Sequence, residues 1–348
     1  MPYDFRSDTV TKPTEEMCRA MVTAELGDDV LDDDPTVKRL EKRCAEMLGK
    51  EAALFVPSGT MANLLAIFLH CRPGDELLCE EHSHIYSYEQ GGYAQINGVC
   101  AKPLPGNRGV FDAETLVKAI HEPNLHFPNP KAVFLENTHN RGGGSIWQFE
   151  TLKDVCQTAN QHGLTLHLDG ARLMNAVIAT GRSAREWTEP FDTVSLCFSK
   201  GLGAPVGSVL AGTADWIYLA KRRRKVLGGG MRQSGILAAA ALYALDHHIE
   251  RLADDHRNAQ MLADHIREMP QELIRLKYEL TETNMVFFEI TKPQLTARQC
   301  CEELARHNIL MLPVGQTQTT VRAVTHLNVD ATAVENAIET IINVLKQT

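Results

Sequence analysis

The sequence predicts an α/β protein whose large domain has a mostly parallel sheet, followed by a small α+β domain. The first observation is a repeated order of strand, loop and helix from about residue 51, which is typical of parallel sheets. The second is a change of pattern near residue 272. We expect an N-terminal arm over 1–26, a large domain over 27–246 and a C-terminal domain over 247–348.

Length and composition exclude several classes of protein. A chain of 348 residues exceeds one ordinary core, which fits two domains. The formal net charge of −9 disfavours a general nucleic-acid-binding protein. No apolar run approaches membrane-spanning length, and the N-terminus lacks a signal-peptide core. The nine cysteines form no C-x-x-C pair, so we expect reduced thiols and a cytoplasmic location.

The elements follow in chain order. The polar arm over 1–26 has a solvated terminal segment as its simpler interpretation. An acidic loop over 28–35 leads into a helix that starts at Pro35. Strands of the large domain are predicted at 52–56, 76–79, 131–135, 164–168 and 194–198, and helices at 61–69, 152–162 and through most of 215–269. The C-terminal domain has predicted strands at 284–290, 309–312 and 321–325 and helices at 296–307 and 334–346.

Two predicted strands end on charged residues. The run over 164–168 ends on Asp169, and the run over 194–198 ends on Ser199 and Lys200. Ligands bind at the carboxyl ends of strands in open α/β sheets, so we expect these side chains to share a crevice. Pyridoxal phosphate uses such a pair, because a lysine amine binds its aldehyde and a carboxylate keeps its ring nitrogen protonated. Taken alone, Asp169 could be a helix cap and Lys200 a surface lysine.

Other candidates surround this pair. Ser58, Gly59 and Thr60 lie between a strand and a helix, where free N–H groups and the helix dipole favour a phosphate, although such turns are often only N-caps. His84 follows a strand and could stack on a cofactor ring or take a proton. His82 lies beside it, but no third ligand has a convincing spacing, so we expect no metal.

Arginines could bind a substrate carboxylate. Arg172 follows Asp169 by three residues, and Arg322 lies on a predicted C-terminal strand. Either could instead be an ordinary surface arginine. The basic run over 221–225 is most simply a solvated helix face, with a contact to phosphate in a neighbouring subunit as the alternative.

Several blocks together resemble a known family, the low-specificity L-threonine aldolases of the β-eliminating-lyase group of fold-type-I pyridoxal-phosphate enzymes. The blocks are FRSDTVT over 5–11, PSGTMAN over 57–63, HIY over 84–86, ENTHN over 136–140, HLDGAR over 167–172, SKGLG over 199–203 and GGGMRQSG over 228–235. The resemblance implies an aspartate-aminotransferase-like fold with a seven-stranded sheet. It also implies a homotetramer with shared active sites that cleaves L-threonine and L-allo-threonine to glycine and acetaldehyde.

The resemblance also implies roles for residues. Lys200 looks like the residue that binds the cofactor aldehyde, Asp169 like the partner of the ring nitrogen, and His84 like the residue stacked on the ring. The phosphate contacts implied are Gly59, Thr60, Ser199 and, from a neighbouring subunit, Arg232, while the implied contacts to substrate are Ser7, Arg172, Arg322 and His126. Arg172 is also similar to a contact of the ring hydroxyl.

Two points stay open. The segment over 141–145 is richer in glycine than is usual in the family, which leaves the aldehyde preference undecided. The base that acts on the β-hydroxyl could be His84, His126 or a water. Another fold-type-I reaction, such as β-elimination, would use the same cofactor residues, and a non-catalytic pyridoxal-phosphate carrier is the alternative from a different class.

Overall fold

The computed structural model describes residues 2–122, 124–315 and 318–347, and within them the N-terminal segment is packed. Strand β1 (Tyr3–Asp4) pairs in parallel with a strand at Ile309–Leu310, and Phe5 is fully buried. Helices α1 (Glu15–Val22) and α2 (Pro35–Leu48) then lead to the main sheet. The simpler interpretation of a solvated arm is therefore wrong for the start of the chain.

Seven strands form the central sheet. They are β2 (Ala52–Val56), β3 (Asp75–Glu80), β4 (Cys100–Leu104), β5 (Asn129–Glu136), β6 (Thr165–Asp169), β7 (Thr193–Cys197) and β8 (Ser208–Gly212). Their order is β2-β8-β7-β6-β5-β3-β4. Strand β8 is antiparallel to both neighbours, and the other adjacent pairs are parallel. The predicted mostly parallel seven-stranded sheet is confirmed.

Helices cover both faces of this sheet. They are α3 (Gly59–His70), α4 (His84–Ser87), α5 (Gly92–Gln95), α6 (Ala113–Ala119), α7 (Phe149–Gln161), α8 (Leu173–Thr180), α9 (Ala184–Thr188), α10 (Ala214–Val226), α11 (Gly235–His247) and α12 (Leu252–Glu268). The alternation along β2 shows both faces, because Leu54 and Val56 pack with α3 and α10 while Phe55 packs with α2 and α11. In the described chain no helix is both long and apolar enough to span a membrane.

The C-terminal part is built around a four-stranded antiparallel sheet. Its elements are β9 (Ile274–Leu276), β10 (Met285–Ile290), α13 (Ala297–Arg306), β11 (Ile309–Leu310), β12 (Leu312–Pro313), β13 (Thr320–Val324) and α14 (Ala331–Gln347). The strand order is β12-β13-β10-β9, and β11 pairs with β1 instead. The α+β character is confirmed. The boundary at 246/247 stays a prediction, since Leu252 packs in the core of the large sheet and Ala259 in the C-terminal core.

Several local details differ from the sequence-based expectations, among them strand β8, which was not predicted. Strand β4 was not singled out because Pro103 and a half-exposed face hide its pattern at the edge of the sheet. Helix α3 begins at Gly59 rather than at residue 61. Within the basic run over 221–225, Arg224 is buried and bonds Asp29 at 2.7 Å, so this run is not a uniformly solvated face.

Glu41 on α2 predicts a pH-dependent stability. Its Oε1 accepts a hydrogen bond from the Phe55 amide at 2.8 Å, and burial raises the pKa of Glu41 to about 7. A folded pKa above the unfolded one gives stability that is complete at low pH and lost as the pH rises through 7. Glu41→Gln keeps the acceptor without the charge, so we expect a gain of about 2 kcal/mol at pH 8 and a smaller gain at pH 5.

Urea unfolding of the cofactor-free protein at both pH values measures this gain. Glu46→Gln, at an exposed position of the same helix, is the control. A gain for Glu41→Gln that does not grow between the two pH values would contradict the assignment.

Candidate active site

The structure brings Asp169 and Lys200 to one edge of the sheet. Strands β6 and β7 are parallel neighbours, with Asp169 opposite Ser195, and Lys200 follows the end of β7. The Lys200 amine has no hydrogen bond or ion pair among the described residues. Burial raises the pKa of Asp169, but the charges of Lys200 and His84 outweigh it and hold that pKa below its ordinary value. This edge therefore holds an ionised carboxylate near a free amine.

Asp169 is held by two hydrogen bonds. Its Oδ1 accepts from the Ala171 amide at 3.0 Å, and its Oδ2 accepts from the Asn63 side chain at 2.8 Å. Asn63 lies on α3 and is almost fully buried. Asn63 lies in one of the family blocks, but its bond to Asp169 could not be inferred from the sequence because the two residues are distant in the chain.

His84 is the first residue of α4, and acidic residues fix it in place. Its backbone amide donates to Glu136 Oε2 at 2.6 Å, and its Nδ1 lies 2.8 Å from Glu89 Oε1. Burial lowers the pKa of His84, but the Glu89 hydrogen bond and the Asp169 charge raise it above its ordinary value. The imidazole also stacks on Tyr88, with 5.6 Å between ring centroids. Glu89 and Glu136 had no role in the sequence analysis.

The turn at Ser58, Gly59 and Thr60 fits an anion. Ser58 Oγ caps α3 by accepting from the Met61 amide at 3.2 Å, so the N-cap interpretation is correct for this hydroxyl. The hydroxyls of Thr60 and Ser199 have no partner in the described chain. A Cβ on Gly59 would lie 2.7 Å from Cys197 Sγ, so glycine permits the close approach to β7. A helix N-terminus with free hydroxyls beside it can bind a phosphate.

Arg172 is engaged by an acid of the N-terminal segment. Its Nε and Nη2 donate to the two carboxylate oxygens of Asp8 at 2.7 and 2.6 Å, and both side chains are buried. Burial raises the pKa of Asp8, but Arg172 holds it well below its usual range. Nη1 of Arg172 has no partner among the described residues. Ser7, next to Asp8, accepts from the Thr9 amide at 3.2 Å.

Arg322 on β13 has no acidic partner among the described residues. Its Nη1 donates to Asn140 Oδ1 at 3.2 Å, its Nη2 donates to the Arg6 carbonyl at 2.9 Å, and its buried Nε has no partner. Burial and the nearby Arg172 lower the pKa of Arg322 to about 10. An incompletely satisfied guanidinium of this kind is suited to a carboxylate ligand.

Two predicted site residues lie apart from this group. His126 is exposed and precedes Asn129, the first residue of β5, whereas the site is at the carboxyl ends of the strands. Arg232 is more than half exposed and bonds Asp28 at 2.9 Å. Within one chain the structure does not bring either residue to Asp169 and Lys200. Their roles stay predictions that require a neighbouring subunit.

The expectation that no metal is bound also stays a prediction. The structure places Glu80 and Glu81 with His82, and Glu89 and Asp169 with His84, each group with ligand atoms within 4.8 Å. The sequence analysis found no third ligand for the histidines because it considered spacing in the chain alone. In the second group, Asn63 donates hydrogen bonds to both Glu89 and Asp169, and His84 bonds Glu89 directly.

Comparison with known proteins then places the chain in a family. Residues 4–291 match the family described as Beta-eliminating lyase. The chain is 44% identical over 328 residues to "Low-specificity L-threonine aldolase 1" of Arabidopsis thaliana, covering 93% of this chain and 90% of that protein. It is 42% identical over 327 residues to "Low specificity L-threonine aldolase" of Escherichia coli (strain K12), covering 94% of each. This chain belongs to the low-specificity L-threonine aldolase family.

Solved structures agree with this fold. A threonine aldolase of Leishmania major has a TM-score of 0.84 at 22% identity, covering 99% of this chain and 100% of that chain. A serine palmitoyltransferase of Sphingomonas wittichii has a TM-score of 0.77 at 18% identity, covering 99% of this chain and 86% of that chain. The fold-type-I architecture is confirmed.

The family's cofactor, pyridoxal phosphate, fits the residues present. Among the described residues, Lys200 has an unpaired amine and Asp169 has an ionised carboxylate. The Ser58–Thr60 turn, with the free hydroxyl of Thr60, can bind a phosphate. The imidazole of His84 is about one-third exposed, so a face is open toward a ring. These complementary groups lie around the carboxyl ends of β2, β3, β6 and β7, where fold-level reasoning places ligands.

Proposed function

We propose that this protein cleaves L-threonine and L-allo-threonine to glycine and acetaldehyde, and acts broadly on β-hydroxy-α-amino acids. The observation that carries the proposal is the combination of the Asp169–Lys200 pair with the guanidinium of Arg322, which has no acidic partner among the described residues. The pair suits a pyridoxal cofactor, and the guanidinium suits the carboxylate of an amino acid. Bound pyridoxal phosphate supplies an aldehyde for amines and a ring that accepts the electrons of the broken bond.

The side chains of this chain divide the remaining work. Lys200 would hold the cofactor through its amine when no substrate amine is bound. Asp169 keeps the proton on the ring nitrogen, and His84 packs against the ring. Ser58, Gly59, Thr60 and Ser199 bind the phosphate. Arg172 would contact the ring hydroxyl, and Arg232 from a neighbouring subunit would contact the phosphate.

The substrate carboxylate would be bound by Arg322, with Ser7 and Nη1 of Arg172 beside it. A carboxylate anchored in this way would disfavour decarboxylation and leave the bond between Cα and Cβ as the one that breaks. The β-hydroxyl must lose a proton for the aldehyde to leave. His84 can accept it at Nε2, since its Nδ1 is engaged by Glu89. His126 and a water are the other candidates for this proton.

A homotetramer with shared sites is part of the proposal, as is a cytoplasmic location. His126 and Arg232 lie apart from the site within one chain, so another subunit is needed to bring them there. Large apolar side chains are also exposed beside the acidic loop and on α10, among them Leu31 at 70% and Val226 at 72%. Such side chains are candidates for a contact with another subunit, since contiguous apolar patches mark protein–protein interfaces.

The test is product release from the four stereoisomers of threonine with pyridoxal phosphate present. The proposal expects glycine and acetaldehyde from the two L-isomers and neither product from the D-isomers. A yellow protein that releases neither product from any isomer would overturn the aldolase proposal and redirect attention to β-elimination substrates.

Arg322→Lys tests the carboxylate contact. Lysine keeps a positive charge but loses the planar fork, so we expect KM for L-threonine to rise about 10- to 100-fold, with a smaller change in kcat. Steady-state kinetics measures both. Arg275→Lys, on β9 of the same sheet and paired with Glu289 at 2.7 Å, is the matched control and leaves KM unchanged. An unchanged KM in Arg322→Lys would remove this residue from the substrate site.

A further inference from the structure

Asn63 has no role predicted from the sequence, but its side chain bonds four residues in and beside the candidate site. Its side-chain nitrogen donates to Asp169 Oδ2 and to Glu89 Oε1, both at 2.8 Å. Its Oδ1 accepts from His167 Nε2 and from Ser195 Oγ, both at 3.2 Å. A side-chain amide has two N–H donors and two acceptor positions, so Asn63 uses its full capacity.

The two carboxylates that accept hydrogen bonds from Asn63, those of Asp169 and Glu89, both act on the proposed cofactor contacts. Asp169 would face the ring nitrogen. Glu89 Oε1 also bonds His84 Nδ1 at 2.8 Å, and His84 would face the ring. The Asn63 amide therefore links Asp169, which would contact the ring nitrogen, to Glu89, which holds the His84 imidazole that would face the ring. It also places two N–H donors between carboxylates that would otherwise repel each other.

The amide is oriented from its other side. Burial lowers the pKa of His167 to about 4, so this imidazole is neutral near pH 7. Its Nε2 faces Asn63 Oδ1, which can only accept, so Nε2 carries the proton. Its Nδ1, 2.7 Å from Thr193 Oγ1, then accepts from that hydroxyl, to which His70 Nε2 donates from 2.7 Å. With donors aimed at its oxygen and acids aimed at its nitrogen, the Asn63 side chain has one satisfactory orientation.

We infer that Asn63 is a positioning residue, which holds Asp169 and, through Glu89, His84 in the single geometry that receives the cofactor ring. The inference rests on the family's cofactor and on the proposed function. Aspartate has the same shape but no N–H, and at position 63 it would set a third carboxylate against two others. Serine keeps one donor, which cannot reach both acids.

The experiment is a pH titration of the absorbance of bound pyridoxal phosphate in wild type, Asn63→Asp and Asn63→Ser. Asn97→Asp is the control, because Asn97 is also buried but its side chain bonds only the Leu64 carbonyl among the described residues, at 3.1 Å. We expect the midpoint of the spectral transition to move by at least about one pH unit in Asn63→Asp, and in the same direction but less in Asn63→Ser. We expect kcat to fall about 10²-fold in Asn63→Asp while KM for L-threonine stays within about threefold.

A midpoint unchanged in both Asn63 variants would overturn the inference, even if their melting temperatures fell as in Asn97→Asp. If Asn63→Asp does not fold, the midpoint in Asn63→Ser decides. The titration requires no substrate, so its result is independent of whether wild type cleaves threonine.

Discussion

Lys200→Ala is expected to abolish threonine cleavage, with kcat at least about 10⁴-fold below that of wild type. The reason is chemical, since alanine has no amine to bind the cofactor aldehyde. The amine of Lys200 is unpaired in the structure and lies close enough to Asp169 to lower the pKa of that carboxyl. The measurement is glycine release from L-threonine at saturating pyridoxal phosphate.

Lys153→Ala is the matched control for this result. Lys153 is half-exposed on α7, pairs with Glu150 at 3.7 Å and has no role in the proposed site. We expect it to keep wild-type turnover. A Lys200→Ala protein that cleaves threonine as fast as wild type would show that another amine does this work.

Asp8→Asn is expected to lower the free energy of unfolding of the cofactor-free protein by about 3–5 kcal/mol at pH 7. The substitution leaves the buried Arg172 guanidinium without its counter-charge. The pKa of Asp8 is lower in the folded than in the unfolded protein, because Arg172 outweighs burial. The stability that Asp8 provides is therefore complete above its unfolded pKa and is lost as the pH falls through the folded one.

Urea unfolding of wild type and variant from pH 7 down to pH 4 measures this loss, and the difference should stay nearly constant over that range. Asp4→Asn is the control, because Asp4 pairs with the exposed Arg6 in the same segment. A surface pair of that kind contributes about 0–1 kcal/mol. Equal losses for Asp4→Asn and Asp8→Asn would contradict the buried-pair interpretation.

The sequence predicted the residues at strand ends but not the bonds that hold them. Asp169 and Lys200 could be found because a strand and the residue after it are neighbours in the chain. The Asp8–Arg172 pair joins residues 164 apart, and the Asn63–Asp169 bond joins residues 106 apart. Spacing and periodicity carry no information about such contacts, which depend on how the strands are ordered in the sheet.

The basic run over 221–225 shows the same limit on a surface helix. Its pattern indicates a solvated face, yet Arg224 is 2% exposed because Asp29 and the Phe55 carbonyl accept hydrogen bonds from its guanidinium. His126 shows a different limit. The family resemblance gives it a place near substrate, but in one chain it lies before β5, at the opposite edge of the sheet.

The most direct test of the Asp169–Lys200 site is to reduce the protein with borohydride in the presence of pyridoxal phosphate and to map the modified peptide by mass spectrometry. Reduction makes the bond between the cofactor and its lysine permanent. We expect one labelled site, Lys200, and the loss of that label when L-threonine is added first in excess. A label on another lysine, or none, would contradict the placement of the cofactor between β6 and β7.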